Sequence, residues 1–186
     1  MPKFQMGVTL KPYHIADTAR LGGDAGATPC AKEDNGKFVK LAGDSRYDLC
    51  AVGDKIEGVI QVADDLVAKF DGYVLGAVMR EHGTRIVCVA DGSQAAGTGS
   101  IAVGDYVVAG TPVAKGTAMT LAGPKVRKAT NQPGTAVTTA DATKPNIDIA
   151  LAAVADQAMV AAYGWRVVAI LSGTGAVGDK VLIERV

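Results

Sequence analysis

Residues 165–186 read WRVVAILSGTGAVGDKVLIERV, which is a strand-forming run, a glycine-rich turn and a second strand-forming run. The core of this turn, AVGD at 176–179, occurs twice more, at 51–54 and 102–105, and a short apolar run follows each copy. Glycine readily adopts a positive φ, and aspartate can accept hydrogen bonds from nearby backbone amides. The stretch therefore predicts a β-rich domain built on Gly-Asp turns, in which residues 180–186 complete a sheet.

The composition is that of one folded domain whose core consists of small side chains. The chain has 186 residues, of which 48% are hydrophobic and only 5% are aromatic, and this length suits a single core. Nineteen Lys and Arg residues balance nineteen Asp and Glu residues, whereas nucleic-acid binding depends largely on an excess of basic side chains. The densest basic run, Lys125–Lys128, is interpreted as a solvated loop, and no nucleic-acid partner is expected.

The cysteines and the N-terminus also limit the possible classes of protein. Cys30, Cys50 and Cys88 are odd in number and have no CxxC spacing, which argues against a disulfide framework and against a zinc site. We expect three reduced thiols, with Cys50 and Cys88 packed in strands. The N-terminus lacks the apolar core of a signal peptide, and no stretch has the length of a membrane span. Neither secretion by that route nor a membrane partner is expected.

The first 45 residues differ from the rest of the chain. They hold three of the seven prolines and a glycine-rich cluster at 22–27, yet they are too apolar for a free tail. We interpret residues 1–45 as an extended N-terminal arm that buries its apolar side chains against a neighbour or a partner surface. Residues 46–186 are predicted to form a single β-rich domain.

Within this domain the turn signals separate a series of strands and one helix. Gly72–Arg80 and Thr84–Ala90 are predicted to pair as a hairpin, and residues 125–146 to form a flexible surface excursion. A short helix is predicted at 147–163, with Asn146 as its cap and Gly164 as its left-handed terminator; the alternative is a strand around Ile147 followed by a loop. The other predicted strands are Phe38–Leu41, Tyr47–Val52, Lys55–Val62, Tyr106–Ala109 and Val113–Leu121.

No group of residues has the spacing of a catalytic or cofactor site. Gly173–Gly178 fits the pattern G-x-G-x-x-G of dinucleotide-binding folds, but only eight residues follow Gly178, which leaves no room for the helix and second strand of such a fold. His14 and His82 have no carboxylate or cysteine at the spacing of a metal site or a catalytic triad. We therefore predict no catalytic residue, no metal and no cofactor; an enzyme whose site is assembled across subunits ranks third among the possible functions.

One stretch indicates a binding module of a different class. Ile101–Thr117 resembles the turn-rich strands of biotinyl and lipoyl carrier domains. Such domains modify a lysine within Met-Lys-Met or Asp-Lys-Ala, whereas Lys115 lies in Ala-Lys-Gly and Lys69 in Ala-Lys-Phe. The alternative function is therefore a small β-barrel binding module of carrier type without a recognisable modified lysine.

Read as a whole, the chain resembles the capsid decoration (cement) proteins of tailed bacteriophages. The resemblance rests on strands punctuated by Gly and Asp, namely GKFVKLAGDSRYDLCAVGDKIEGVIQV (36–62), GYVLGAVMREHG (72–83), IAVGDYVVAGT (101–111) and the stretch at 165–186. It implies a jelly-roll-like β-sandwich or barrel that binds the outside of the head as a homodimer or homotrimer. The protein would clamp adjacent major capsid subunits in a virion assembled in the host cytoplasm.

The extended arm supplies the contact residues that this resemblance requires. An apolar arm needs a partner surface, and many copies on a shell make modest contacts additive. The residues predicted to contact the capsid or a neighbouring subunit are Phe4, Leu10, Tyr13 and Ile15.

Overall fold

The structure, a computed structural model, describes residues 16–22, 29–42, 46–63, 74–93, 97–120, 122–129 and 163–186. These ranges contain ten strands and a short 3-10 helix, Lys32–Asp34, so the prediction of a mainly β fold is confirmed. The strands are β1 (Ala16–Leu21), β2 (Phe38–Leu41), β3 (Arg46–Leu49), β4 (Gly58–Ala63), β5 (Val74–Met79), β6 (Arg85–Ala90), β7 (Val107–Ala109), β8 (Lys125–Lys128), β9 (Trp165–Ile170) and β10 (Lys180–Arg185).

The strands form a barrel and a second sheet. The barrel has the order β1-β3-β2-β4-β5 and closes because β1 pairs with both β3 and β5. The second sheet has the order β7-β8-β6-β10-β9. A bridge between Tyr106 and Arg166 connects the residue before β7 to β9, so the two outer strands of this sheet are also joined.

One hydrophobic cluster spans both sheets. Trp165 belongs to this larger cluster and is completely buried. A second, smaller cluster fills the barrel around Leu21 and Ile60. Because the larger cluster draws side chains from both sheets, the barrel and the second sheet bury each other's apolar surface. Its members include Phe38, Cys50, Ile56, Val59 and Met79 from the barrel half, and Ile86, Cys88, Val107, Val126, Trp165, Val181 and Ile183 from the second sheet.

The closing hairpin that the sequence predicts is confirmed. β9 and β10 pair antiparallel, with Val181 opposite Ile170. β10 also pairs with β6, so the last strand is an interior strand of its sheet. Val181 and Ile183 point into the shared cluster and are fully buried.

The hairpin predicted for 72–90 is wrong. A turn does exist, because Thr84 N–H donates to the Glu81 carbonyl at 3.1 Å. However, β5 pairs with β4 and β1, whereas β6 pairs with β10 and β8. Gly83 N–H donates to the Arg185 carbonyl at 2.6 Å, and Arg185 N–H donates to the Thr84 carbonyl at 2.9 Å. These bonds direct the chain after the turn to β10 in the second sheet.

Two predictions around residue 120 are also wrong. The strand predicted at Val113–Leu121 is absent from its described part, because residues 111–120 form a loop with a turn at Ala114–Thr117. Lys125–Lys128, predicted to be a solvated loop at the start of a flexible excursion, is β8 and pairs with β6 and β7. The basic run can form a strand because Val126 is buried while the two lysines reach Asp91 and Asp105, at 3.5 and 2.8 Å.

Part of the segment predicted as an arm belongs to the barrel. Residues 16–22 contain β1 and residues 29–42 contain the 3-10 helix and β2. The extended arm thus stays a prediction only for residues 1–15, which lie outside the described residues. The rest of the predicted excursion, 130–146, and nearly all of the predicted helix at 147–163 also lie outside them. Gly164 has a φ of +68°, the left-handed conformation predicted for it.

Candidate functional site

The three AVGD segments fold into the same turn. We call residues 51–54 turn 1, residues 102–105 turn 2 and residues 176–179 turn 3. In each, the aspartate N–H donates to the alanine carbonyl, at 3.2, 3.1 and 3.0 Å. The alanine N–H donates to the aspartate carboxylate, at 2.7, 2.8 and 2.9 Å. The glycines have φ values of +85°, +93° and +95°. This confirms the roles that the sequence assigns to the glycine and the aspartate.

Each turn also docks onto a strand through its backbone. The glycine N–H donates to the carbonyl of a strand residue, and the N–H of that same residue donates to the aspartate carbonyl. The strand residue is Ala109 of β7 for turn 1 (2.8 and 3.0 Å), Val167 of β9 for turn 2 (2.8 and 2.8 Å) and Ala90 of β6 for turn 3 (2.9 and 2.8 Å). Turn 1 thereby ties the barrel to the second sheet, and turns 2 and 3 brace the second sheet itself.

Changing the turn glycines to alanine compares the cost of backbone strain alone with the cost of strain plus side-chain crowding. A Cβ at Gly104 meets nothing within 4 Å, so Gly104→Ala is expected to cost only the strain of a positive φ, about 1–2 kcal/mol. A Cβ at Gly53 lies 2.7 Å from Arg127 Nη2, so Gly53→Ala must also displace that guanidinium and should cost more. Urea unfolding of the two variants measures the difference. An equal loss for both variants would contradict this account of Gly53.

Two loops of closely similar sequence lie side by side on the second sheet. Residues 97–104 read GTGSIAVG and residues 171–178 read LSGTGAVG. Ser100 bridges Ala176 in antiparallel fashion, and Ile101 N–H donates to the Gly175 carbonyl at 2.9 Å. Besides AVGD, both loops contain GTG, at 97–99 and 173–175, and this second shared motif is the sequence signal that the two loops are alike. We call the surface of these two loops the charge-free face, because neither range contains a charged residue.

The charge-free face exposes apolar side chains. Every residue of the two loops is exposed except Ile101 and Gly175. Val103 is 61% exposed, Leu171 50% and Val177 45%. Exposed apolar patches on a folded protein commonly mark a contact with another macromolecule. The face therefore has the character of a protein-binding surface.

The acidic residues that follow the two loops hydrogen-bond to the backbone of those loops. The carboxylate of Asp179 accepts hydrogen bonds from the N–H groups of Thr174 and Ala176, at 2.8 and 2.9 Å. The carboxylate of Asp105 accepts one from Ala102 N–H at 2.8 Å and lies 2.8 Å from Lys128 Nζ. Both carboxylates hold the turns, which makes the two loops rigid.

A second candidate is an apolar cleft between the barrel and the second sheet. Barrel residues Phe38, Leu49 and Cys50 line one side of it, and Val113, Met119 and Pro124 line the other. Burial raises the pKa of the Cys50 thiol from its ordinary value of 9.0 to about 12. A thiol of this kind stays protonated at neutral pH and is a poor nucleophile. The cleft can take apolar groups but offers no reactive group.

A buried ion pair holds the outer wall of this cleft, the loop 111–120. Asp34 Oδ1 accepts hydrogen bonds from Lys37 Nζ at 2.7 Å and from Gly116 N–H at 2.8 Å. Lys37 Nζ also donates to the Ala114 carbonyl at 2.7 Å, and the two side chains are 0% and 5% exposed. The barrel thus fixes the middle of the loop, which keeps the cleft open in a defined shape.

The structure places the remaining candidate residues as follows. Phe4, Leu10, Tyr13 and Ile15, predicted as capsid or subunit contacts, lie outside the described residues, as do His14 and Lys69, and their roles stay predictions. His82 lies exposed in the turn between the two sheets. Lys115 lies 2.6 Å from Asp48 Oδ1 in an ion pair, whereas a carrier lysine must be available for modification.

The three cysteines are free and buried. Burial raises the pKa of Cys30 to about 12 and that of Cys88 well above its ordinary value. Among the residues that the structure describes, no group of three or more His, Cys, Asp or Glu side chains could hold a metal ion. No helix in the described ranges combines the length and the apolar character needed to cross a membrane.

Comparisons with known proteins add no relative to this picture. No family model matches the chain, and no match is found among curated proteins or solved structures.

Proposed function

We propose that this chain is a structural virion protein that binds the outer surface of a tailed-phage capsid and stabilises contacts between major capsid subunits. The observation that supports this proposal is the charge-free face, a braced and uncharged surface with three exposed large apolar side chains. It fits the resemblance to capsid decoration proteins that the sequence carries. As that resemblance implies, the protein acts as a homodimer or homotrimer and not as an enzyme.

The chemistry of the face favours a protein partner. Loops that expose Val and Leu and contain no charged residue of their own can be buried against another protein at a lower desolvation cost than charged loops, since desolvation costs several kcal/mol per ion. Because hydrogen bonds and positive-φ glycines already hold the loops, binding orders little additional backbone. A contact of this kind is modest for one copy and becomes firm when many copies, or several subunits of one oligomer, bind the same shell.

Placing charge on the face tests the proposal. The double substitution Val103→Asp and Val177→Asp is expected to weaken binding to purified, undecorated heads by at least about tenfold, because two carboxylates would be desolvated at the contact. The measurement is co-sedimentation with heads over a range of protein concentrations. The matched control is Val52→Asp, which changes the equivalent valine of turn 1, itself 42% exposed, and should bind as the unchanged protein does.

The possible outcomes separate the proposal from its alternatives. If the unchanged protein does not sediment with heads, the capsid proposal is wrong. If the double variant and the Val52→Asp control bind equally well, the contact does not lie on the charge-free face. Intact mass addresses the carrier alternative, since a carrier domain gains a prosthetic group on a lysine.

A further inference from the structure

The register of the barrel relates the apolar cleft to Ala16, the first described residue of β1. In the register of the barrel, Ala16 of β1 is opposite Met79, Met79 is opposite Val59, and Val59 is opposite Phe38. Phe38 lines the cleft. Neighbouring strands are about 4.8 Å apart, so three strand spacings, about 15 Å along the barrel wall, separate Ala16 from Phe38. Ala16, to which residues 1–15 are joined, therefore lies within reach of the cleft.

This preceding segment has the pattern of an amphipathic strand. Residues 3–11 read KFQMGVTLK, in which every even-numbered residue is apolar and every odd-numbered residue is polar or glycine. Alternation with a period of two places the apolar side chains on one face of an extended chain. Fifteen residues precede β1, and an extended chain of that length reaches about 50 Å. The apolar residues of this face are Phe4, Met6, Val8 and Leu10.

We propose that the apolar face of residues 4–10 docks into the apolar cleft of the same molecule. The cleft encloses about 70 Å³, which corresponds to about five water molecules or one to two apolar side chains. The tether at Ala16 gives the segment a millimolar effective concentration at its own cleft, which favours it over the segment of a neighbouring copy. Asp34 and Lys37 already hold the outer wall, so docking does not have to order the loop 111–120.

This inference does not depend on the capsid proposal. The resemblance to capsid decoration proteins gives Phe4 and Leu10 a partner outside the molecule, either the shell or a neighbouring subunit. The cleft gives them a partner within it, and the capsid contact is then left to the charge-free face. Docking within the molecule is a property of the free protein and can be tested without heads.

Disulfide cross-linking from the wall of the cleft tests the proposal. Met119, half-buried on that wall, is changed to cysteine, and a second cysteine is placed in turn at Phe4, Met6, Val8 or Leu10. The matched control series places it at Lys3, Gln5, Thr9 or Lys11, on the opposite face of the same segment. Because Cys50 itself lines the cleft, the series is made in a Cys50→Ser background. The other two native thiols, Cys30 and Cys88, are buried and have raised pKa values.

We expect monomers with an internal disulfide, formed at least about tenfold faster at the best apolar position than at any control position. Mild oxidation followed by non-reducing electrophoresis and peptide mass mapping gives these rates. Equal rates in the two series would overturn the proposal, as would a lack of cross-links. Disulfide-linked dimers would also overturn it and would assign the cleft to the segment of a neighbouring copy. Where Met119→Cys fails to fold, Val113→Cys on the same wall takes its place.

Discussion

Asp34→Ala is expected to lower the free energy of unfolding by about 3–5 kcal/mol, since breaking a buried ion pair leaves an uncompensated charge behind. The Asp34 carboxylate accepts hydrogen bonds from three donors, namely Lys37 Nζ, Gly116 N–H and Ala31 N–H, at 2.7, 2.8 and 2.8 Å. Without it, the Lys37 ammonium remains buried beside the Ala114 carbonyl, to which it donates at 2.7 Å, and has lost its counter-charge. Urea denaturation followed by circular dichroism measures the loss.

A neighbouring ion pair supplies the matched control. Asp48 lies 2.6 Å from Lys115, in the same loop that Asp34 holds, but its side chain is 31% exposed. Exposed ion pairs contribute about 0–1 kcal/mol, so Asp48→Ala should cost at least about 2 kcal/mol less than Asp34→Ala. If the two variants lose the same stability, burial of the Asp34–Lys37 pair is not the source of the effect. Asp34→Asn, which retains acceptors but no charge, should fall between them.

Trp165→Ala is expected to cost about 3–5 kcal/mol, the usual result of deleting a large buried aromatic side chain. Trp165 is fully buried in the cluster that spans the barrel and the second sheet. Its Nε1–H donates to the Ile56 carbonyl at 3.1 Å, and the Arg185 guanidinium lies 5.9 Å from the ring centroid. The indole therefore holds residues of both sheets, and its loss leaves a cavity where they meet.

Trp165→Phe separates the hydrogen bond from the packing. Phenylalanine retains most of the apolar burial and removes the N–H donor, while Arg185 Nη1 still donates to the Ile56 carbonyl at 3.1 Å. A loss of about 1–2 kcal/mol is expected, well below that of alanine. Because Trp165 is the only tryptophan in the chain, both variants require circular dichroism or calorimetry. A Trp165→Ala protein as stable as the unchanged protein would contradict a shared core.

The sequence predicts the turns well because their chemistry is local. In an AVGD turn, the aspartate and the alanine that it holds are three residues apart, and the glycine alone provides the positive φ. The closing hairpin follows from the same feature, since only one such turn separates two strand-forming runs. A pattern of four residues is enough to predict an interaction that those four residues make.

The partners of each strand could not be predicted, because they are chosen by residues far away in the chain. The turn at Glu81–Gly83 looks like the turn of a hairpin, but its bonds to Arg185, about a hundred residues later, direct β6 to β10 instead of to β5. The sequence of Lys125–Lys128 favours a loop, because the aspartates that pair with its two lysines, Asp91 and Asp105, lie elsewhere in the chain.

Both candidate sites are formed by contacts between segments that are far apart in the sequence. The ion pair of Asp34 and Lys37 reaches a loop about eighty residues away in sequence. The charge-free face needs two loops, at 97–104 and 171–178, to lie side by side. A single strand or turn contains neither site, so the pattern of one segment could not reveal them.

The docking of turns 2 and 3 has a consequence for how the protein folds. Turn 2 follows β6 in the chain but bonds to β9, whereas turn 3 follows β9 but bonds to β6. Each half of the second sheet thus completes the backbone hydrogen bonds of the other, and neither half can be satisfied alone. The sheet must therefore fold and unfold cooperatively, and the stretch at 165–186 has to be synthesised before the first half can reach its final structure.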